Sequence, residues 1–151
     1  MKKVFFPIVF FCTLFQSCKK TETDERLIEE PRVETKEDLV VDAQAKPLTS
    51  VALSTNAHDF GDVKKGDSVE YVYEITNIGD NPLVISNVIP GCGCTASEYS
   101  QEPILPGKKG SVKLKFNSEN FEGMQHKQAE VYANVDKSPI ILTFTANVKP
   151  S

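Results

Sequence analysis

Apolar residues are distributed along this chain in three different ways. Val4 to Phe15 is a twelve-residue apolar run broken only by Pro7, Cys12 and Thr13. Lys19 to Lys46 has no period at all, with Leu27, Ile28, Leu39, Val40 and Val41 scattered among charged side chains. From about Val51 the period becomes two. Val112, Leu114 and Phe116 alternate with Lys113 and Lys115, which predicts a half-buried strand over Ser111–Asn117. Ile140, Leu142, Phe144, Ala146 and Val148 place a second strand over Ile140–Val148. Val69, Tyr71, Tyr73 and Ile75 define a third, and Ala129, Val131 and Ala133 point inward from Lys127–Asn134. Leu83–Ile89 is apolar on both faces except at Ser86 and Asn87, the pattern expected of a central strand.

Turn residues punctuate these strands: Lys65-Gly66-Asp67, Gly79-Asp80-Asn81-Pro82, Pro106-Gly107, Asn120 to Gly123 and Ser138-Pro139. No helical period appears after residue 48. The expectation is an all-β fold, an immunoglobulin-like β-sandwich of about seven strands spanning residues 49–151. The chain has no Trp and no long-range cysteine pair in this region, so an antibody-type domain is excluded. About 100 residues suffice for a core of apolar faces alone.

The N-terminal run is shorter than the ~20 apolar residues of a spanning helix. With Lys2-Lys3 before it and Gln16-Ser17-Cys18 after it, residues 1–17 read as a secretory signal. The cut before a cysteine resembles the lipobox of bacterial lipoproteins, with Phe15 and Gln16 in place of the usual leucine and small residue. That resemblance implies that Cys18 carries lipid: a diacylglyceryl group and an N-acyl chain such as palmitate. Several chains give stable anchoring where one is marginal. Residues 18–48 are then the lipidated cysteine and a charged flexible tether, too poor in apolar residues to offset ordering entropy.

Net charge is −4, and the signal segment contributes +2 of opposite sign. Residues 19–47 and 48–151 each carry −3, so no basic patch points to nucleic acid. Lys108, Lys109, Lys113 and Lys115 form a basic strip expected to be a solvated strand face.

The landmarks of the sandwich occur in a recognisable order. They are His58-Asp59-Phe60-Gly61-Asp62-Val63, Thr76-Asn77-Ile78-Gly79-Asp80, Pro82-Leu83-Val84-Ile85, Cys92-Gly93-Cys94-Thr95, Pro106-Gly107 and Val131-Tyr132-Ala133-Asn134. Over roughly residues 51–149 this closely resembles the bacterial domain-of-unknown-function family 1573. The resemblance implies an immunoglobulin-like sandwich, related to domains of ciliary and centrosomal proteins, in a family whose members are often lipoproteins. It implies no activity.

Cys92 and Cys94 are the thiols that remain once Cys12 leaves with the signal and Cys18 is lipidated. In an extended strand, residues two apart lie about 6.5–7 Å from each other. That is the upper edge of the span a disulfide bridges, and Gly93 lets the backbone bend to close it. Three readings stay open. The pair is a small apolar plug, oxidised or reduced; or a soft-metal site for copper or zinc, completed by His58 or His126; or a thiol-redox centre, although no βαβ context accompanies it. Tyr71, Tyr73 and Phe60 are read as core. No Ser–His–Asp set, phosphate loop or carboxylate pair stands out.

The sequence therefore points to a non-catalytic lipoprotein of the bacterial envelope, in the outer membrane. It presents a binding or scaffolding module to an envelope protein through a sheet edge or the loops around Cys92–Thr95. Its partners are the membrane, through the lipid anchor, and that protein. No cofactor, confident metal site, nucleic acid or small-molecule substrate is identified. The alternative is a copper, zinc or thiol-redox protein built on Cys92 and Cys94.

Overall fold

The computed structural model of the chain describes residues 35–150, so the signal segment, Cys18 and the tether up to Glu34 lie outside the described residues. A helix, α1 (Lys36–Gln44), is followed by eight strands: β1 (Val51–Leu53), β2 (Ala57–Lys64), β3 (Ser68–Asn77), β4 (Ile85–Pro90), β5 (Thr95–Tyr99), β6 (Lys109–Asn117), β7 (Gly123–Ala133) and β8 (Ile140–Lys149). They form two four-stranded sheets, in the orders β1-β3-β6-β5 and β2-β8-β7-β4. Neighbours run antiparallel, except that β2 lies parallel to β8. Among the described residues no helix is long and apolar enough to cross a membrane.

The period-two positions meet between the sheets. Tyr73, Ile75, Val112, Leu114 and Phe116 from one sheet pack in one core with Val131, Leu142, Phe144 and Val148 from the other. Burying such side chains contributes roughly 1.5–3 kcal/mol each, which is the main force closing the sandwich. The opposite face of the first sheet is charged but balanced. Glu70 lies across from Lys115 in register, Lys109 reaches Glu74 at 2.8 Å, and Lys113 reaches Glu98 at 2.6 Å. The basic strip of the sequence is thus interleaved with carboxylates.

Two expectations are corrected. The strand starting near Leu83 is not central: β4 is the last strand of its sheet, with β7 its one strand partner among the described residues. It is apolar on both faces because α1 covers its outer side, where Leu39 and Ala43 pack on Tyr132 with Ile89 and Val40 at the margin. The tether, in turn, is ordered from Thr35 rather than flexible to residue 48. The Thr35 side chain accepts from the Asp38 amide, and the Asp38 carboxylate accepts from the Thr35 amide. Glu37 and Asp38 sit where the helix dipole favours negative charge. A nine-residue helix is marginal alone, so its docking on β4 and β7 is what holds it. The period was hidden because only Leu39 and Ala43, one turn apart, are buried.

Two buried asparagines fasten one end of the sandwich. Asn77 accepts from the Thr49 hydroxyl at 2.8 Å and the Gly79 amide at 3.1 Å. It donates to the carbonyls of Asn81 and Ile104, both at 2.8 Å. Asn134 accepts from the Val84 amide at 2.7 Å and donates to the carbonyls of Pro47 at 2.7 Å and Pro82 at 2.9 Å. Each side chain ties together backbone groups of separate loops at this end of the sandwich. Gly79 completes the arrangement: a Cβ there would press on the Thr49 hydroxyl and lie 2.5 Å from the Ser50 amide.

Candidate functional site

The sandwich has two lateral seams where its sheets come together, and they are closed differently. At the β4/β5 seam, hydroxyl groups cap the free carbonyls of β4: Ser97 donates to Val88 and Tyr99 to Ser86. This blunts an edge that would otherwise invite another strand.

At the β2/β3 seam the closure is aromatic. His58 stacks on Tyr71 with ring centroids 3.6 Å apart and meets Phe60 edge-on at 4.6 Å. Phe60 and Tyr71 continue inward to Phe144 and Tyr73. Tyr73 donates its hydroxyl to the Thr143 carbonyl, and burial pushes its phenol up to about 12. Tyr73 is core, as expected of it, whereas Tyr71 and Phe60 are half-buried against the core.

Beside this aromatic seam the backbone of β3 is open. The Asn77 amide bonds the Lys108 carbonyl, on the β6 side, while the Ile78 amide bonds Ser50 and the Glu74 carbonyl accepts from Ser54, on the β1 side. Even-numbered residues of β3 therefore turn their N–H and C=O groups toward β1. The β1 ladder ends at Leu53 opposite Ile75. Ser68, Glu70 and Val72 thus face an edge that no strand pairs among the described residues. Val72 is half exposed there.

The structure joins Cys92 and Cys94 in a disulfide, with Cα atoms 5.2 Å apart. The backbone is bent rather than extended at Gly93, which explains a separation below the two-residue strand spacing. Both cysteines are half-buried on the turn between β4 and β5. Cys94 packs against the core and its carbonyl accepts the Asn117 amide at 3.0 Å. His58 lies in the β2/β3 seam and His126 is exposed on β7 opposite Thr145, so neither is built into the turn. Among the described residues no group of three or more His, Cys, Asp or Glu side chains could hold a metal ion.

A shallow cleft of about 440 Å³ opens where α1 meets the sheet, lined by Lys36, Val40, Val41, Glu130, Tyr132 and Pro139. Tyr132 donates to Glu130 at 2.7 Å, and Lys36 grips the other carboxylate oxygen at 2.7 Å. The Lys36 hydrogen bond, then that of Tyr132, holds the Glu130 carboxyl below its ordinary value. Burial, with Glu130 alongside, pushes the Tyr132 phenol up to about 12. Sequence reasoning missed this cluster and the two asparagine braces. The only signal for them was position, in Thr76-Asn77-Ile78-Gly79 and Val131-Tyr132-Ala133-Asn134.

A family model described as "Protein of unknown function (DUF1573)" matches residues 51–148. No curated protein matches the chain. Among solved structures, a protein of unknown function from Porphyromonas gingivalis W83 is similar at 18% identity and TM-score 0.58, over 70% of this chain and 48% of that one. The chain thus spans about half the length of that protein. The ASH/PapD-like domain 7 of human CEP192 is similar at 12% identity and TM-score 0.53, over 81% of this chain and 93% of that one. A family 123 glycoside hydrolase from Clostridium perfringens is similar at 10% identity and TM-score 0.50, over 69% of this chain and 27% of that one. At these identities the likeness is one of fold: an immunoglobulin-like, PapD-like sandwich.

Proposed function

We propose, for a chain that belongs to the DUF1573 family of proteins of unknown function, that it is a lipid-anchored, non-catalytic binding module of the bacterial envelope. The observation that carries the binding part is the unpaired edge of β3 beside the half-buried His58, Phe60 and Tyr71. An extended segment of an envelope protein laid along Ser68–Val72 would take up the free N–H and C=O groups and rest on the aromatic seam. Backbone hydrogen bonds would supply affinity and the seam would supply selectivity.

The anchoring part is supported by Lys2-Lys3, the run Val4–Phe15 and Ser17-Cys18. Cleavage before Cys18 and acylation of its thiol and new amino group would fix the chain to a membrane, in this proposal the outer one. Residues 19–34 would then separate lipid from domain, because α1 already belongs to the folded part.

Growth of an expressing bacterium with radiolabelled palmitate tests the anchor. The wild-type chain is expected to be labelled, shortened and membrane-bound, and Cys18→Ser to remain an unlabelled precursor. Normal processing of Cys18→Ser would show a plain secretory signal instead.

A further inference from the structure

The binding role makes no use of the Cys92–Cys94 bond, and the fold gains little from it. A loop of three residues constrains the unfolded chain about half as much as a 15-residue loop would. Exposed bridges, unlike buried structural ones, are the labile ones. This bridge is half-buried on a turn, and the turn is open to one side at Gly93, where a Cβ would meet nothing within 4 Å.

The two sulfurs are not equivalent. Cys94 is the inner one, packed on the core and tied to the strand ladder through Asn117. Cys92 belongs to the turn and is not part of that packing, its carbonyl accepting the Thr95 amide at 3.3 Å. Thr95 is only 6% exposed, and its hydroxyl lies 3.6 Å from the Cys92 sulfur and 3.8 Å from the Cys94 sulfur. Disulfide sulfurs carry no hydrogen, so the hydroxyl is the donor here, its single hydrogen shared between the two sulfurs or turned to either. A buried donor held against both sulfurs is placed to steady negative charge when the bond opens.

We propose that Cys92–Cys94 is a thiol–disulfide exchange site for the dithiol of a partner protein, with Cys92 the attacked sulfur and Thr95 the donor to the departing Cys94 thiolate. A thiolate of the partner attacks the Cys92 sulfur. The Cys92–Cys94 bond breaks, its electron pair goes to Cys94, and the Cys94 thiolate takes a proton from water. The second thiol of the partner loses its proton to water and attacks its own sulfur in the mixed disulfide. Cys92 leaves as thiolate and is protonated. The domain gains two electrons and two protons, and the partner dithiol becomes a disulfide.

The test uses the full processed chain, oxidised, in mild detergent at neutral pH. Equimolar reduced thioredoxin serves as the dithiol probe, and alkylation followed by mass spectrometry reads the thiols. Both cysteines are expected to be reduced within minutes while circular dichroism stays unchanged. A probe stripped of its second cysteine is expected to be captured on Cys92 at least tenfold over Cys94. Thr95→Val is expected to slow reduction about tenfold, and Thr95→Ser to restore it. A bridge that stays oxidised until urea unfolds the chain overturns the proposal, as does capture on Cys94. An unchanged rate in Thr95→Val overturns the role given to Thr95.

Discussion

Asn77→Ala removes a side chain that makes four hydrogen bonds from a position with no solvent exposure. The partners do not suffer equally. The Ile104 carbonyl keeps the Leu83 amide at 2.9 Å, and the Gly79 amide keeps the Ser50 carbonyl at 3.1 Å. The Thr49 hydroxyl, itself buried, and the Asn81 carbonyl lose the bonds described for them. At roughly 1 kcal/mol per bond, with two groups left short of a partner, the expected loss is about 3–4 kcal/mol. That is a large share of the ~5–15 kcal/mol that holds a typical domain together. Urea unfolding followed by far-ultraviolet circular dichroism measures it, since the chain has no Trp to report fluorescence. Asn77→Asp sharpens the test. It keeps both acceptor roles but turns an oxygen toward two carbonyls and buries a charge at a position with no solvent exposure. Its folded pKa is therefore raised, so this variant should regain stability, relative to wild type, as pH falls from 7 to 5. A loss below about 1 kcal/mol for Asn77→Ala, or no pH-dependent recovery of Asn77→Asp, would refute the bracing role.

Three further outcomes follow from the same geometry. Gly79→Ala should cost about 2–3 kcal/mol in the same unfolding assay, because its methyl meets the Ser50 backbone, which cannot swing away. Replacing both Cys92 and Cys94 with Ser should cost at most about 1.6 kcal/mol, the chain-entropy value for a three-residue loop; a larger loss would make the bridge structural. Docking of α1 should depend on Glu130, whose carboxyl is held below its ordinary 4.5. Its contribution is complete above pH 4.5 and is lost as pH falls through the lowered folded value. Amide exchange of residues 36–44 should rise there before the sheets open, and Lys36→Ala, which costs only about 0.5 kcal/mol because the lysine is largely exposed, should shrink that acid step to the part that the Tyr132 hydrogen bond supplies.

The alternation of apolar residues reported burial well and pairing poorly. Strands β3, β6 and β8 are legible with their correct inward faces because each buries one side only, and β7 is legible because only its last residues, at Tyr132, are also covered from outside. The apolar stretch that holds β4 has the pattern of a central strand because periodicity counts covered faces and does not say what covers them; here it is a helix. That helix has the sequence of a tether, because two buried residues, Leu39 and Ala43, make no visible stripe. Strands β1, β2 and β5 escaped notice, being short or bulged: β2 breaks register between Asp59 and Asp62, where Gly61 adopts φ 66°. Of the site, the Cys-Gly-Cys turn was legible from residue spacing, but the open edge of β3 was not. An edge is a property of strand order, and nothing in Ser68–Val72 itself records that β1 stops short of it.

Val72→Pro tests the binding claim most directly. The Val72 amide points to the unpaired edge, so proline removes no hydrogen bond of the sandwich but ruins the edge as a template for another strand. Wild-type and Val72→Pro chains, each anchored in its own cells, would be cross-linked and recovered by affinity capture, with circular dichroism confirming that both are folded. A discrete envelope protein captured by wild type, and at least tenfold less of it by Val72→Pro, is the expected result. Equal capture by both chains, or no partner with either, would contradict the account.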